Sequence, residues 1–260
     1  MTAFTPIPLA PDECLLTVAW QPDVLHERLV MHARNYDRIT VFSLNLDQWV
    51  HLHRDPVLRR IYNRGHYILP DGFPIARALQ WITGHPVQRV PGIDVALRLV
   101  GDPRIRRVFL LGSTPERVAR AARRLYAQCP HLHTVAFHHG YFNDDANVIT
   151  AVRRAGPEVM LIGMGFPKQE TWIVRYRDML PFGVAVCIGG GIDILAGVRR
   201  RAPSWMQTAG LEWVYRLVQE PLRLGYRYLI RDIPHMPCLI RAIRRFRKTR
   251  AHACRSGNGP

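Results

Sequence analysis

Glycines and polar side chains that could hold a phosphorylated ligand are concentrated in residues 160–223. Two apolar runs there end in glycine turns. MLIGMG is followed by Gln169 in a helical stretch, and CIGGG contains Gly190 and Gly191 and is followed by Asp193. Parallel α/β proteins bind phosphates at such turns, where a strand ends and a helix begins. The amide of Gln169 could bind ligand hydroxyls, and Asp193 could accept from a ribose or a base. Tight turns without a ligand would have the same glycines.

A carboxylate and two further polar side chains follow other strand-like runs. Asp71 lies in YILPDGFP, where a loop from strand to helix should begin, and a carboxylate there would face the ligand edge of the sheet. The spacing alone favours a simple Pro-Asp-Gly turn over a chemical role. Ser43 and Asn45 lie at the end of the run ITVFSL and would share that edge. They could bind a ligand hydroxyl or, Asn45 especially, cap the next helix.

Several arginines could face an anionic ligand group. Arg89 and Asp94 lie in QRVPGID, before a helical stretch. Either Arg89 faces a diphosphate, or Asp94 caps the helix with Arg89 as its partner. Further along, Arg216, Arg223 and Arg227 have separations that align them on one side of a helix, although a proline interrupts the register.

The elements that must position these residues alternate along the chain. Strand-like apolar runs cover 39–44, 66–69, 107–112, 133–137, 158–165 and 183–190, and helical stretches such as 115–128 separate them. This alternation predicts an α/β fold with a mostly parallel, Rossmann-like sheet and helices on both faces. We expect an α/β catalytic domain over residues 1–198 and a basic, largely helical, amphipathic C-terminal extension over 199–260.

Positive charge is concentrated in that extension. The chain of 260 residues has a formal net charge of +16, and residues 199–255 contain 14 lysines and arginines against three acids. Aromatics alternate with these arginines, a pattern typical of a helix lying on an anionic membrane surface. A packing helix with solvated arginines is the alternative. With no evident signal peptide, no apolar run of about 18 residues and scattered cysteines, we expect a cytoplasmic protein, peripheral on the inner face of the cell membrane.

Other classes of protein fit the sequence poorly. A nucleic-acid-binding protein would suit the net charge, but the charge lies at one end and no RRM, KH or helix-turn-helix signature is present. A dinucleotide-dependent oxidoreductase would need GxGxxG after the first strand, which is missing. No DxD motif follows a strand, and the histidine pairs lack acids or cysteines at ligand spacing, so we expect neither a metal nor a cofactor.

Several segments of the chain, in order, resemble the WecG/TagA/CpsF glycosyltransferases. They are LPDGFPIARAL, QRVPGID, VFLLGSTPE with FHHGYF, GFPKQETW, GGGIDILAG, RAPSWMQ and GLEWVYRLVQEPLR, within about residues 39–231. The resemblance implies an inverting, metal-independent enzyme that moves a sugar from a UDP-sugar onto a polyprenyl-diphosphate-linked saccharide, in exopolysaccharide or cell-surface polysaccharide assembly. UDP-glucose, UDP-N-acetylmannosamine and its uronic acid are the candidate donors.

The resemblance also implies residue roles. Asp71 would be the general base that takes the proton of the attacking hydroxyl. Asn45 and Gln169 would bind the sugar, and Ser43 would stand where the family more often has Thr. Arg216 and Arg223, with Arg227 beyond them, would stabilise the leaving diphosphate. The resemblance leaves a homo-oligomer open as an alternative to a monomer. A binding protein without transferase activity is the alternative function.

Overall fold

The structure is a computed structural model and describes residues 4–10, 13–18 and 21–255. The strands are β1 (Phe4–Ala10), β2 (Glu13–Val18), β3 (Ile39–Leu44), β4 (Tyr67–Pro70), β5 (Arg107–Gly112), β6 (Thr134–His138), β7 (Val159–Gly163) and β8 (Val184–Cys187). The α-helices are α1 (Pro22–Asn35), α2 (Leu46–Arg54), α3 (Pro56–Tyr62), α4 (Phe73–Thr83), α5 (Gly92–Gly101), α6 (Pro115–Gln128), α7 (Asp145–Ala155), α8 (Lys168–Tyr176), α9 (Gly191–Leu195), α10 (Ser204–Thr208), α11 (Glu212–Gln219), α12 (Pro221–Tyr226) and α13 (Met236–Arg255).

The central sheet consists of six parallel strands in the order β4-β3-β8-β7-β5-β6. Each strand overlaps one of the six predicted apolar runs. Parallel strands buried on both faces read as continuous apolar segments, which is why these runs could be recognised. The predicted Rossmann-like α/β fold is confirmed.

Helices cover both faces of the sheet and bury two separate apolar clusters. Phe42 and Phe109 point into one cluster, together with side chains from α2, α4, α7, α8 and α13. Their neighbours Val41 and Leu110 point into the other, with side chains from α1, α5 and α6. Successive residues of a strand point to opposite faces, so each strand contributes to both clusters.

The N-terminal segment forms a hairpin that the sequence analysis did not predict. Strand β1 pairs with β2 in antiparallel register, and β2 contacts β4. Pro6 and Pro8 lie within β1, and prolines lack the backbone donor that a strand normally uses, so the segment does not read as a strand. The hairpin is fixed to α2 by a hydrogen bond of 2.9 Å from the indole Nε1 of Trp49 to the carbonyl oxygen of Pro8.

The C-terminal region is largely helical, as predicted. Helices α10, α11 and α12 continue into a π-helical turn (Arg227–Asp232), a short 3-10 turn and α13. Leu239 and Ile243 of α13 are buried in the core cluster that includes α4 and β1. The described part of the chain contains no helix that is long and apolar enough to span a bilayer. The domain boundary after residue 198 stays a prediction.

Candidate active site

The carboxyl ends of β3, β4, β7 and β8 open into a cavity of about 620 Å³. Because the strands are parallel, the loops that follow them meet at one edge of the sheet. Seven of the predicted site residues line this cavity: Ser43, Asn45, Asp71, Gln169, Gly190, Gly191 and Arg216. The topology thus brings together residues that are up to 173 positions apart, 43 to 216 in the chain.

Asp71 follows β4 directly and is half-buried in the cavity wall. Its backbone N–H donates to the carbonyl oxygen of Leu44, at 3.0 Å, which fixes the loop to the end of β3. Burial raises the pKa of the Asp71 carboxyl above its ordinary value, and the nearby charges of Arg216 and Arg89 oppose that rise only in part. A carboxylate with a raised pKa is a stronger base, which suits proton abstraction near neutral pH.

Asn45 and Ser43 sit at the end of β3 in different roles. Asn45 caps α2 in a reciprocal capping box: its Oδ1 accepts from the backbone N–H of Gln48 at 3.0 Å, and Gln48 Oε1 accepts from the N–H of Asn45 at 2.9 Å. The helix-capping interpretation therefore holds, while Nδ2 takes no part in the cap. Ser43 is nearly buried, and a Cβ added at Gly92 would lie 2.7 Å from its Oγ. Only glycine at the start of α5 leaves the Ser43 hydroxyl room.

Gln169 is held inside the wall of the cavity. Its side chain is 3% exposed, and its Oε1 accepts from the backbone N–H of Gly189 at 3.1 Å. Its Nε2 donates to Oε1 of Glu170 at 2.8 Å. The amide thus joins the first turn of α8 to the glycine turn after β8.

Gly190 and Gly191 of the glycine turn have close neighbours where a side chain would begin. A Cβ at Gly190 would lie 2.9 Å from a guanidinium nitrogen of Arg199, and a Cβ at Gly191 would lie 3.0 Å from Ile93 and Ile188. Asp193 does not line the cavity. Its carboxylate accepts from Ser113 Oγ at 2.8 Å and from Arg117 at 3.2 Å, so it binds the loop after β5.

A buried carboxylate, Glu212, lies between two of the predicted arginines. Its Oε2 is 2.7 Å from Nη1 of Arg89, and its Oε1 is 2.6 Å from Nη2 of Arg216. Although burial raises the pKa of Glu212, the charge of Arg216 and the hydrogen bond from Arg89 outweigh that effect and lower it. Arg89 itself does not line the cavity. The three charges fix α11 against the body beside Asp71.

Of the two alternatives for Arg89 and Asp94, the one in which Asp94 caps α5 with Arg89 as its partner is wrong. Asp94 instead accepts from Arg201, with one contact at 3.1 Å, and the N-cap position of α5 is Pro91. Arg89 pairs with the buried carboxylate of Glu212. The side chains of Arg223 and Arg227 lie outside the described residues; their backbones belong to α12 and the π-helical turn.

Several residues of the cavity were missed by the sequence analysis. They are Asp47, His51, Phe166, Glu212 and the run Arg199–Arg201. The three arginines follow the glycine turn closely in sequence, but their charge was attributed to membrane contact. His51 lies 3.8 Å from Asp47, its i,i−4 neighbour on α2, a spacing that the sequence did contain. Within the described ranges, no three His, Cys, Asp or Glu side chains are grouped as metal ligands would be.

A parallel sheet whose carboxyl edge carries a carboxylate, an amide and several arginines in one cavity defines an α/β protein with a polar, cationic cavity at that edge. The model of the glycosyl transferase WecG/TagA/CpsF family matches residues 17–250. The chain therefore belongs to this family, as its motifs indicated.

Two relatives carry the same name, N-acetylglucosaminyldiphosphoundecaprenol N-acetyl-beta-D-mannosaminyltransferase. The chain is 30% identical over 165 residues to the one from Bacillus subtilis strain 168, which covers 63% of this chain and 64% of the relative. It is 32% identical over 168 residues to the one from Staphylococcus aureus strain MW2, covering 64% and 66%. The chain thus spans somewhat less than two thirds of the length of these relatives.

Proposed function

We propose that this chain is an inverting glycosyltransferase that moves a sugar from a UDP-sugar onto a polyprenyl-diphosphate-linked saccharide in cell-surface polysaccharide assembly. The observation that carries the proposal is the position of Asp71, in a cavity lined by arginines at the carboxyl edge of the sheet. The family and the name of the two relatives support the same reaction class.

The proposed chemistry needs one base and a cationic site for the leaving group. The acceptor hydroxyl gives its proton to the Asp71 carboxylate while its oxygen attacks the anomeric carbon. The bond from that carbon to the UDP oxygen breaks on the opposite face, and UDP leaves with the electron pair. Arg216 and the arginines at 199–201 would stabilise the diphosphate charge, since guanidinium groups bind phosphate oxygens in pairs. This assignment requires no divalent metal.

The donor that we propose to test first is UDP-N-acetylmannosamine, with N-acetylglucosaminyl-diphosphoundecaprenol as acceptor. The acceptor and the transferred sugar follow from the name of the relatives, and UDP is the carrier that the family resemblance implies. UDP-glucose and the uronic acid of N-acetylmannosamine stay as alternatives. Purified protein with detergent-dispersed acceptor and each donor in turn, followed by UDP release with and without EDTA, tests the proposal. Release with one donor that persists in EDTA supports it; no release with any donor and a verified acceptor contradicts it.

We also propose that the chain acts at a membrane surface through residues 205–233. Large apolar side chains of this segment are exposed, namely Trp205, Leu211, Trp213, Val218, Leu222, Tyr226, Ile230 and Ile233. Trp213 and Val218 belong to α11, the helix that also brings Arg216 into the cavity. A surface of this kind next to the cavity suits an enzyme whose acceptor is anchored in a bilayer.

Sedimentation with vesicles containing anionic lipid tests the surface. Leu222→Ser together with Trp213→Ser should reduce the bound fraction severalfold, because each removes an apolar group that would enter the headgroup region. Tyr126→Ser removes an equally exposed aromatic from α6 and should leave binding unchanged. Equal losses in both variants would show that the segment has no special role.

A further inference from the structure

Behind the cavity lies a carboxyl group that the proposed chemistry does not use. Glu170 is 0% exposed and does not line the cavity, so it cannot reach a bound substrate. Its Oε1 accepts from Gln169, whereas its Oε2 has no hydrogen-bond partner among the described residues. Burial raises its pKa to about 7. A buried carboxyl with an unsatisfied oxygen lowers the stability of the fold, so its presence needs a structural or functional explanation.

Glu170 contacts two residues, Gln169 in α8 and Tyr62 in α3, and each of them bonds a different strand end of the site. Gln169 connects Glu170 to the turn after β8, because its Oε1 accepts from the N–H of Gly189 at 3.1 Å. The hydroxyl of Tyr62 lies 3.5 Å from Glu170 Oε1 and donates to the carbonyl oxygen of Ser43 at 3.0 Å. Glu170 is thus the common point between the end of β3 and the turn after β8.

The orientation of the Gln169 amide depends on these neighbours. A glutamine amide has a donor end and an acceptor end, and only one orientation places the acceptor toward the N–H of Gly189. The acceptor at Glu170 selects that orientation, because it binds the donor end. Without an acceptor at position 170 the amide could turn, and two N–H groups would then face each other at Gly189.

We propose that Glu170 is a positioning residue that fixes the Gln169 amide and, through it, the Gly189–Gly191 turn in the shape that binds the donor. The inference rests on the proposed function for what the turn binds. The geometry of the turn itself can be measured independently. A neutral acceptor of the same size should serve as well as the carboxylate, since the role needs an acceptor oxygen and no charge.

Two variants at this position and one partner variant test the proposal. UDP affinity is measured by calorimetry, and hydrogen exchange at the Gly189 amide by NMR on glycine-labelled protein. Glu170→Leu should weaken UDP binding about tenfold and speed Gly189 exchange by at least as much, while Glu170→Gln should stay within about threefold of wild type in both. Gln169→Ala should match Glu170→Leu, and the double variant should add little, because both act through one contact.

The outcomes separate this inference from the proposed function. Wild-type protein that binds no UDP contradicts the function, while faster Gly189 exchange in Glu170→Leu would still support positioning. Should Glu170→Leu not fold, Gln169→Ala and Glu170→Gln carry the test. Unchanged Gly189 exchange in Gln169→Ala, fully additive losses, or a Glu170→Gln variant as weak in UDP binding as Gln169→Ala would each overturn the proposal.

Discussion

Glu212 offers the sharpest test of how the C-terminal helices are fixed to the site. Glu212→Gln keeps one carbonyl oxygen, so one of the two contacts to Arg89 and Arg216 survives, while the other becomes a contact between donors. A hydrogen bond to a charged group contributes about 1.5–3 kcal/mol. Because the Arg216 side chain is half-exposed and can turn to water, we expect a loss of about 2 kcal/mol in the free energy of unfolding.

This loss is measurable by thermal and urea unfolding. For a chain of this size, about 2 kcal/mol corresponds to a fall in melting temperature of about 4–8 °C. The matched control is Asp23→Asn, which removes a carboxylate from an exposed pair with Arg98 at 2.8 Å. Exposed pairs contribute about 0–1 kcal/mol, so the control should lower the melting temperature much less.

The same substitution should change the pH dependence of the reaction. The charge of Glu212 raises the pKa of Asp71, so its removal lowers that pKa and moves the acid limb of the kcat/KM profile to lower pH. A melting temperature no lower than that of Asp23→Asn would refute the structural argument. An acid limb that moves to higher pH would refute the electrostatic one.

Two further predictions concern stability. Folding raises the pKa of Glu170 from 4.5 to about 7, so the protonated carboxyl stabilises the folded state below about pH 4.5, and this stabilisation is lost as the pH rises to 7. Glu170→Gln does not titrate, so its free energy of unfolding, measured in urea, should rise relative to that of wild type between pH 4.5 and 7. Gly92→Ala should cost about 1–3 kcal/mol, since the new Cβ would lie 2.7 Å from Ser43 Oγ and 3.2 Å from the carbonyl oxygen of Cys187. Gly101→Ala, in the same helix with nothing within 4 Å, should be neutral or stabilising.

Each of these two stability predictions can be contradicted by a specific result. A Glu170→Gln variant whose stability follows the wild-type curve between pH 4.5 and 7 would mean that this carboxyl does not titrate as its burial implies. Equal unfolding free energies for the two alanine variants would show that the start of α5 has room for a side chain.

The fold could be predicted where local pattern determines it. Strands such as β5 are buried on both faces and read as unbroken apolar runs, and α6 shows its apolar face at helical spacing. The hairpin of β1 and β2 was missed because Pro6 and Pro8 argue against a strand. A two-stranded hairpin depends on its contacts with the body, which a local pattern does not contain.

The candidate site could be predicted only in part, for a related reason. Parallel topology places strand ends at one edge, so Asp71 and Gln169 could be expected there from their positions after apolar runs. The pairing of Glu212 with Arg89 joins residues 123 positions apart and leaves no local signal. Burial of Glu170 was equally hidden, because a helix start with charged residues usually faces solvent.

The general base role of Asp71 is the central claim, and one comparison tests it most directly. Asp71→Asn and wild type are assayed for UDP release with the donor identified in the panel, and for UDP binding by calorimetry. We predict that the substitution lowers kcat by about 10²–10⁴-fold, as expected for loss of a general base, while UDP affinity stays within a few-fold of wild type. A kcat within tenfold of wild type would contradict the assignment of Asp71 as the base.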